Sequence, residues 1–293
     1  DIIPKIGEVF SEPFSDASQV PTYVISKKIK EQGISVVLSG DGGDEFFGGY
    51  NRHKLIPIIH SYLGWMPSKL RNFFSDYLFL LPISKKGLNQ DKIQKISRSI
   101  IFADNPSLIY QSIKSLENPR INNHKDLANY FLDKKDKFPN CRSLEESIML
   151  ADILSYLPHD ILVKLDRCSM ATSLETRVPF LDKSLAKFAW SIPINMKIRK
   201  GNVKSTSKWV LREILYKYIP RKIIDRPKKG FTMPLGPWMK GSLKPWLMDM
   251  LDYKRIKNEG FLDPDIVKNL VQEHIDEKKD NSSKLWNILM WQS

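Results

Sequence analysis

The sequence predicts an α/β protein that is predominantly helical and whose sheet is incomplete. Three observations carry this expectation. Ile34-Ser35-Val36-Val37-Leu38 is a short β-branched run and the one convincing strand. A helical stretch ending at Gly33 precedes it and a Gly-rich acidic turn follows, the layout of a sheet with helices on its faces. Nearly everything downstream carries helical periodicity. A lone strand would leave its backbone donors and acceptors unpaired. The remaining strands are therefore expected outside this chain, which starts at Asp1 in mid-element.

In order along the chain, residues 18–32 form a helix, with Val20–Val24 and Ile25–Ile29 repeating at i,i+4 and Gly33 as its stop. The strand 34–38 runs into Ser39-Gly40-Asp41-Gly42-Gly43-Asp44-Glu45. Helical stretches then fall at roughly 54–64, 67–81, 106–116, 124–133, 144–156, 158–175, 183–190, 205–218, 263–278 and 283–291. Pro158 opens one of them and Pro179 closes the pattern behind it. Residues 226–241 read as a Pro/Gly-punctuated loop. There is no internal repeat.

Composition excludes several classes. The 293 residues, 42% hydrophobic and 27% charged, have the balance of a folded chain that needs no staples. No apolar run approaches the ~20 residues of a membrane helix, and no leader segment opens the chain. Two cysteines, Cys141 and Cys168, make no framework, so a reducing cytoplasm is the expected compartment. The five histidines show no metal-ligand spacing. The net charge of +13 is local: residues 191–260 hold 17 Lys+Arg against 5 Asp+Glu, and the rest of the chain is nearly balanced.

Three stretches could carry chemistry. In open α/β sheets, ligands bind beyond the carboxyl ends of strands. In the turn after the strand, Gly40, Gly42 and Gly43 would let the backbone approach a ligand and offer N–H donors to anionic oxygens. Asp41, Asp44 and Glu45 add hard oxygens suited to Mg²⁺. Phosphate donors beside metal ligands suit a nucleotide, yet the loop is neither a Walker loop nor a dinucleotide fingerprint. It could equally be a solvated turn with Asp44 capping the next helix. In Leu157–Asp182, Lys164, Arg167, Ala171 and Glu175 fall at helical spacing, either a poised acid on a cationic face or a surface ion-pair ladder. In Asp225–Gly236, cations on a Pro/Gly-hinged loop could close over a site and place an ammonium against developing negative charge, or could simply be solvated. Trp209, Trp238 and Trp246 in the basic segment suit stacking on nucleic acid or, more simply, a core.

Together and in this order, these stretches resemble the synthetase domain of glutamine-dependent asparagine synthetases. The matching residues are Ser39-Gly40-Asp41-Gly42-Gly43-Asp44-Glu45-Phe46-Phe47-Gly48-Gly49-Tyr50-Asn51-Arg52, then Leu157-Pro158 through Leu174-Glu175-Thr176-Arg177-Val178-Pro179-Phe180-Leu181-Asp182, then Arg226-Pro227-Lys228-Lys229-Gly230-Phe231. Glu12-Pro13-Phe14 and Pro21-Thr22-Tyr23 are similar to the family's approach to the first motif. The resemblance implies an ATP-pyrophosphatase-type (adenine nucleotide alpha hydrolase-like) domain, present in part, with appended C-terminal helices. Residues 1–60 would be the end of its nucleotide-binding sheet region, and 61–293 the mainly helical remainder.

It also implies a reaction in which aspartate and Mg-ATP give β-aspartyl-AMP and pyrophosphate, and ammonia from glutamine then yields asparagine and AMP. On this resemblance the cofactors are ATP and Mg²⁺. The partners are aspartate, ammonia and the N-terminal glutaminase domain of the same parent protein, with a homodimer left open and neither nucleic acid nor membrane involved. Ser39 and Gly40 would contact ATP, with Gly42 and Gly43 beside them. Asp41 would assist acyl-adenylate formation, Asp44 would bind Mg²⁺ with Glu45 supporting the loop, and Tyr50 would line the site. Glu175 would accept a proton from the attacking ammonia, and Arg177 would begin the helix's exit. Lys228, rather than Lys229, would stabilise negative charge at the phosphates.

The family's Ser-Gly-Gly-x-Asp-Ser pyrophosphate loop and N-terminal Cys nucleophile are absent from these residues. The chain therefore reads as the C-terminal portion of a longer enzyme, inactive alone. Competing readings are a related enzyme amidating a sugar acid in surface-polysaccharide synthesis, a basic nucleic-acid-binding module, and a helical scaffold with a decayed site.

Overall fold

The computed structural model describes residues 2–80, 90–114, 141–199, 206–225 and 233–293. Within these the protein is mostly helical, with a few short strands. The expected helix at 124–133 and residues 226–232 of the basic loop, Lys228 and Lys229 included, lie outside the described residues.

A 3₁₀ segment, Ile3–Val9, leads to α1, Gln19–Glu31. Strand β1 is Val36–Leu38. A single helical turn, α2 (Gly43–Phe46), follows the acidic loop, and α3 (Arg52–Leu63) and α4 (Ser68–Leu80) continue the chain. Next come α5 (Gln90–Ile101), which the sequence did not suggest, and α6 (Pro106–Lys114).

The helix α7, Leu144–Ala151, opens with the Ser143 hydroxyl accepting from the Glu146 N–H. It does not end near residue 156. It passes through a π-helical stretch, Asp152–Ile161, into α8, Leu162–Met170. Pro158 therefore sits inside a continuous helix rather than at a start. A proline supplies no N–H, and wider π turns are one way a helix tolerates that lost bond.

The second departure concerns Glu175. The periodicity extends a helix through it, but α8 stops at Met170. Ser173 takes a left-handed φ of 56°, its N–H bonds the Met170 carbonyl at 2.9 Å, and the Leu174 N–H bonds the Ser169 carbonyl at 3.0 Å. Those two bonds make a Schellman stop, with Leu174 buried behind it. The Glu175 N–H then reaches the Ser35 carbonyl at 2.9 Å. Residues Glu175–Arg177 form β2, parallel to β1 in the register Val36↔Glu175, Val37↔Thr176, Leu38↔Arg177. One partner that β1 requires is thus supplied by this chain.

After β2 come α9 (Lys183–Ser191) and a short turn, α10 (Ile194–Lys197). A small antiparallel pair, β3 (Ile198–Arg199) with β4 (Thr206–Ser207), leads to α11 (Trp209–Leu215) and α12 (Arg221–Ile224). The chain ends in α13 (Leu235–Lys240), α14 (Lys244–Met250), α15 (Tyr253–Glu259), α16 (Pro264–Ile275) and α17 (Ser282–Gln292). Part of the expected loop 226–241 is therefore helical.

Among the described residues, three apolar clusters hold this arrangement. The largest joins Ile6, Phe10 and Val20 to Leu247, Trp286 and Leu289 of the C-terminal helices, with Trp238 and Trp246 packed against it. These two tryptophans are thus core aromatics rather than a stacking platform. A second cluster links Ile56, Ile109, Tyr110 and Ile148 of α3, α6 and α7. The third, Phe46, Phe47, Leu157, Ala189 and Ile192, lies beneath the acidic loop, with Phe180 and Leu181 against it.

Gly48, just after this cluster's Phe46 and Phe47, is both left-handed and closely packed. Its φ is +66°, and a Cβ there would lie 2.6 Å from Ile198 Cγ1. Gly48→Ala should cost about 2–3 kcal/mol from backbone strain plus overpacking, read as a lower denaturation midpoint at unchanged m.

Candidate functional site

The site is built where β1 ends. The Ser39 N–H bonds the Arg177 carbonyl at 2.8 Å, so the parallel pair fixes the start of the loop. The Ser39 hydroxyl donates to the Asp41 carboxylate, and the Gly43 N–H closes the turn on the Gly40 carbonyl at 3.2 Å. Gly42, at φ +82°, allows the reversal into α2.

The glycines divide in role. A Cβ on Gly42 would meet Leu181 at 3.0 Å, and one on Gly43 would meet the Phe180 ring at 3.2 Å. These two glycines therefore let the loop pack on Phe180-Leu181, and Gly43's N–H is used inside the turn. Gly40 alone faces open space, with nothing within 4 Å of a Cβ built there. That is the backbone surface a phosphate could approach.

The acids divide as well. Glu45 is buried at 1% exposure and accepts the Tyr50 O–H at 2.6 Å. Burial pushes its carboxyl above the usual range, partly offset by that hydrogen bond. Glu45 is thus a buried support of the loop, with Tyr50 as its partner. Asp44 keeps a half-exposed carboxylate beside Lys208, whose Nζ is 2.9 Å from Oδ1. Among the described residues no group of three or more His, Cys, Asp or Glu is placed to hold a metal. The donor set fits Mg²⁺ only as Asp44 together with a nucleotide's own oxygens, a pattern this ion commonly accepts. The open Gly40 face and the Ser39 end of β1 fit a phosphate group.

Glu175 and Arg177 alternate with Thr176, so both stand on the open face of the sheet with Val36 and Leu38. Their side chains pair at 2.8 Å and remain exposed. Glu175 does not share a helical face with Lys164 and Arg167. Lys164 instead turns to Asp16 and, at 3.6 Å, to Asp160.

A buried polar network behind the loop was not legible in the sequence. Asp152, fully buried, accepts from Arg52 Nε at 2.7 Å and from the Tyr110 hydroxyl at 2.6 Å, and it meets His53 Nε2 at 2.7 Å. The Arg52 guanidinium lies 3.9 Å over the Tyr50 ring and 4.8 Å over Tyr156. Burial alone would raise the Asp152 carboxyl, but His53 and Arg52 outweigh it and hold it at about 2. Burial pushes His53 below its usual value, and Lys114, 4.3 Å over the Tyr156 ring, down to about 8. Burial and the Asp16 charge push Asp160 up to about 7. The only sequence signal was Asn51-Arg52-His53 directly after Tyr50.

The two cysteines are free. Cys168 is buried, and burial raises its thiol to about 12, consistent with an inert core residue. No helix among the described residues is long and apolar enough to cross a membrane.

Comparison with known proteins places this geometry. The chain is 28% identical over 99% of its length to asparagine synthetase (glutamine-hydrolysing) 1 of Bacillus subtilis (strain 168), covering 44% of that protein. It is 27% identical over 99% of its length to a putative asparagine synthetase (glutamine-hydrolysing) of Mycobacterium tuberculosis (strain H37Rv), covering 43% of it. It is 24% identical over 86% of its length to amidase chry2 of Gibberella zeae, covering 40% of that protein. The chain thus spans less than half the length of these relatives. No solved structure matches it significantly. The asparagine synthase family, whose domain has the adenine nucleotide alpha hydrolase-like fold, matches residues 1–293 without a break. The loop after β1, the parallel β1–β2 pair and this end-to-end match together establish that the chain belongs to the asparagine synthase family.

Proposed function

We propose that this chain is the nucleotide- and acyl-handling part of an enzyme that converts aspartate to asparagine with ATP. The observation that carries the reading is the Ser39–Glu45 loop at the carboxyl end of the parallel pair, with Gly40 open and Glu175 and Arg177 on the neighbouring strand. In this reading the substrate carboxylate attacks the α-phosphorus of ATP, pyrophosphate leaves, and β-aspartyl-AMP forms. Ammonia released from glutamine then attacks the acyl carbon and AMP leaves. Ser39 and Gly40 receive phosphate oxygens, with Gly42 and Gly43 setting the loop's shape. Asp41, held by Ser39, assists acyl-adenylate formation. Asp44 would hold Mg²⁺, which when bound neutralises charge on the phosphates. Glu45 and Tyr50 form one wall, Glu175 takes the proton of the attacking ammonia, and Lys228 stabilises the developing negative charge.

The exposed face of the β1–β2 pair supports a further part of the proposal. Val36 is 45% and Leu38 74% exposed. Parallel sheets are normally covered on both faces. In a longer protein of the relatives' length, further strands, the pyrophosphate loop and a glutaminase domain would complete the site.

A second reading has its own observation. Similarity to an amidase shows that proteins named otherwise share this domain, so the acceptor could be a sugar acid or another carboxylate. Exchange of labelled pyrophosphate into ATP by the full natural chain decides between them. Exchange that requires aspartate is expected; exchange driven by a uronic acid and indifferent to aspartate would replace the first reading with the second. In the same assay Glu175→Gln should leave exchange nearly intact. It should slow ammonia-dependent amide formation by about 10²-fold, the scale of a lost general base.

A further inference from the structure

Lys208 is assigned no role by any motif, and it is built into the loop in an unusual way. It immediately precedes α11 with φ 54° and ψ 37°, the left-handed region. A lysine there is uncommon, because only Gly, and Asn or Asp through a short polar side chain, visit that region readily. The strain is pinned by its N–H on the Phe47 carbonyl at 3.2 Å and its carbonyl under the Arg212 N–H at 3.0 Å. The result is an ammonium 2.9 Å from Asp44, at 32% and 27% side-chain exposure. Gly49 makes room for the pair: a Cβ there would fall 1.7 Å from Asp44 Oδ1 and 2.4 Å from Lys208 Cε.

A half-exposed ion pair contributes little to stability. A strained backbone and a dedicated glycine are therefore out of proportion to a merely structural bridge, and strain of this kind collects at functional sites. An ammonium on a flexible stem has several donors to offer, so one partner need not exclude another. We infer that Lys208 is a polyphosphate ligand of the loop, held against Asp44 and turned toward the anionic oxygens of a bound nucleotide. This rests on the reading of the loop as an ATP site. It adds a cation, from a different part of the chain, to the acids and glycine already there.

The test separates charge from backbone. Lys208→Asn and Lys208→Gly both suit the left-handed conformation and delete the ammonium, while Lys208→Arg keeps a charge. Binding of ATP with Mg²⁺ and of adenosine is measured by calorimetry on the full natural chain, with melting temperature alongside. The Asn and Gly variants should bind ATP at least about tenfold more weakly, which is about 1.4 kcal/mol. Adenosine, which has no phosphates, should bind as before. The melting temperature should hold or rise, and Lys208→Arg should recover part of the ATP affinity. ATP affinity within about twofold of the unmodified protein, or equal losses for ATP and adenosine, would overturn the assignment. If the unmodified protein binds neither ligand, the nucleotide reading itself falls and takes this inference with it; a failure confined to the variants leaves that reading standing.

Discussion

Asp152→Ala should destabilise the protein by about 3–5 kcal/mol, the cost of removing one partner from a buried charge network. The carboxylate ties its own π-helical stretch to two other elements, as the shared acceptor for Arg52 and His53 at the start of α3 and Tyr110 on α6. Without it the Arg52 guanidinium, whose side chain is 13% exposed, loses its counter-ion. Its Nη2 already has no hydrogen-bond partner among the described residues, so nothing nearby replaces the bond. Chemical denaturation of the full natural chain checks this, with a melting-temperature loss on the order of 10 °C expected. Asp152→Asn keeps the shape and one acceptor and should fall between the two. A loss below about 1 kcal/mol for Asp152→Ala would mean that the network is relaxed in solution.

The same network sets the acid limit. Asp152 is held at about 2 against an ordinary 3.8, so its contribution is complete above 3.8 and disappears as pH falls toward about 2. His53 is lowered from 6.5, chiefly by burial, so the folded state keeps it neutral while the unfolded chain takes up a proton near that value. The stabilising contribution of neutral His53 should therefore be lost below about pH 6.5 and that of Asp152 below 3.8, while Asp160, held up to about 7, works in the opposite direction between them. His53→Gln should flatten the first decline and Asp152→Ala the second.

How much of this was legible in the sequence depends on where each signal lay. Helices α1, α3 and α17 were readable because their apolar periodicity is local. The strand Val36–Leu38 was readable because β-branched residues run unbroken into a Gly turn. Glu175–Arg177 was not, because its helical spacing is an accident of Lys164, Arg167 and Ala171. What makes it a strand is pairing with a segment far away in the chain, announced only by Thr172-Ser173 and the Schellman turn. The short helix α15 did carry a usable mark: the Asp252 carboxylate accepts from the Lys254 and Arg255 N–H groups. In the loop after β1, the motif already separated a supporting Glu45 from Asp44, but the burial of Glu45 against the Tyr50 hydroxyl was not legible. Neither were Lys208, hidden among the cations of residues 191–260, nor Asp152, whose partners come from separate elements.

Lys228→Ala should lower the turnover of the proposed amide-forming reaction by about 10²–10³-fold, the scale of losing one preorganised charge-stabilising donor. The described structure shows why its loop would leave from a fixed point. Asp225, the last described residue before it, accepts from Arg212 Nη1 at 3.0 Å and from the Tyr216 hydroxyl at 2.5 Å. Arg212 Nε also bonds the Ser207 carbonyl at 3.0 Å, and the Arg221 guanidinium covers the Tyr216 ring at 4.4 Å. Arg212 stands one helical turn from Lys208, which meets Asp44 of the acidic loop. Asp225 and the loop after β1 are thus both tied to one short helix, α11, and its capping residues. Asp225→Ala removes the anchor but not the ammonium. It should leave folding nearly unchanged, since Asp225 is half exposed, and cost about tenfold in turnover by misplacing a charge that is still present. The comparison of kcat for the two variants is decisive: equal losses would make the loop's position the whole effect. A full loss for Lys228→Ala beside a small one for Asp225→Ala would assign the effect to the charge itself.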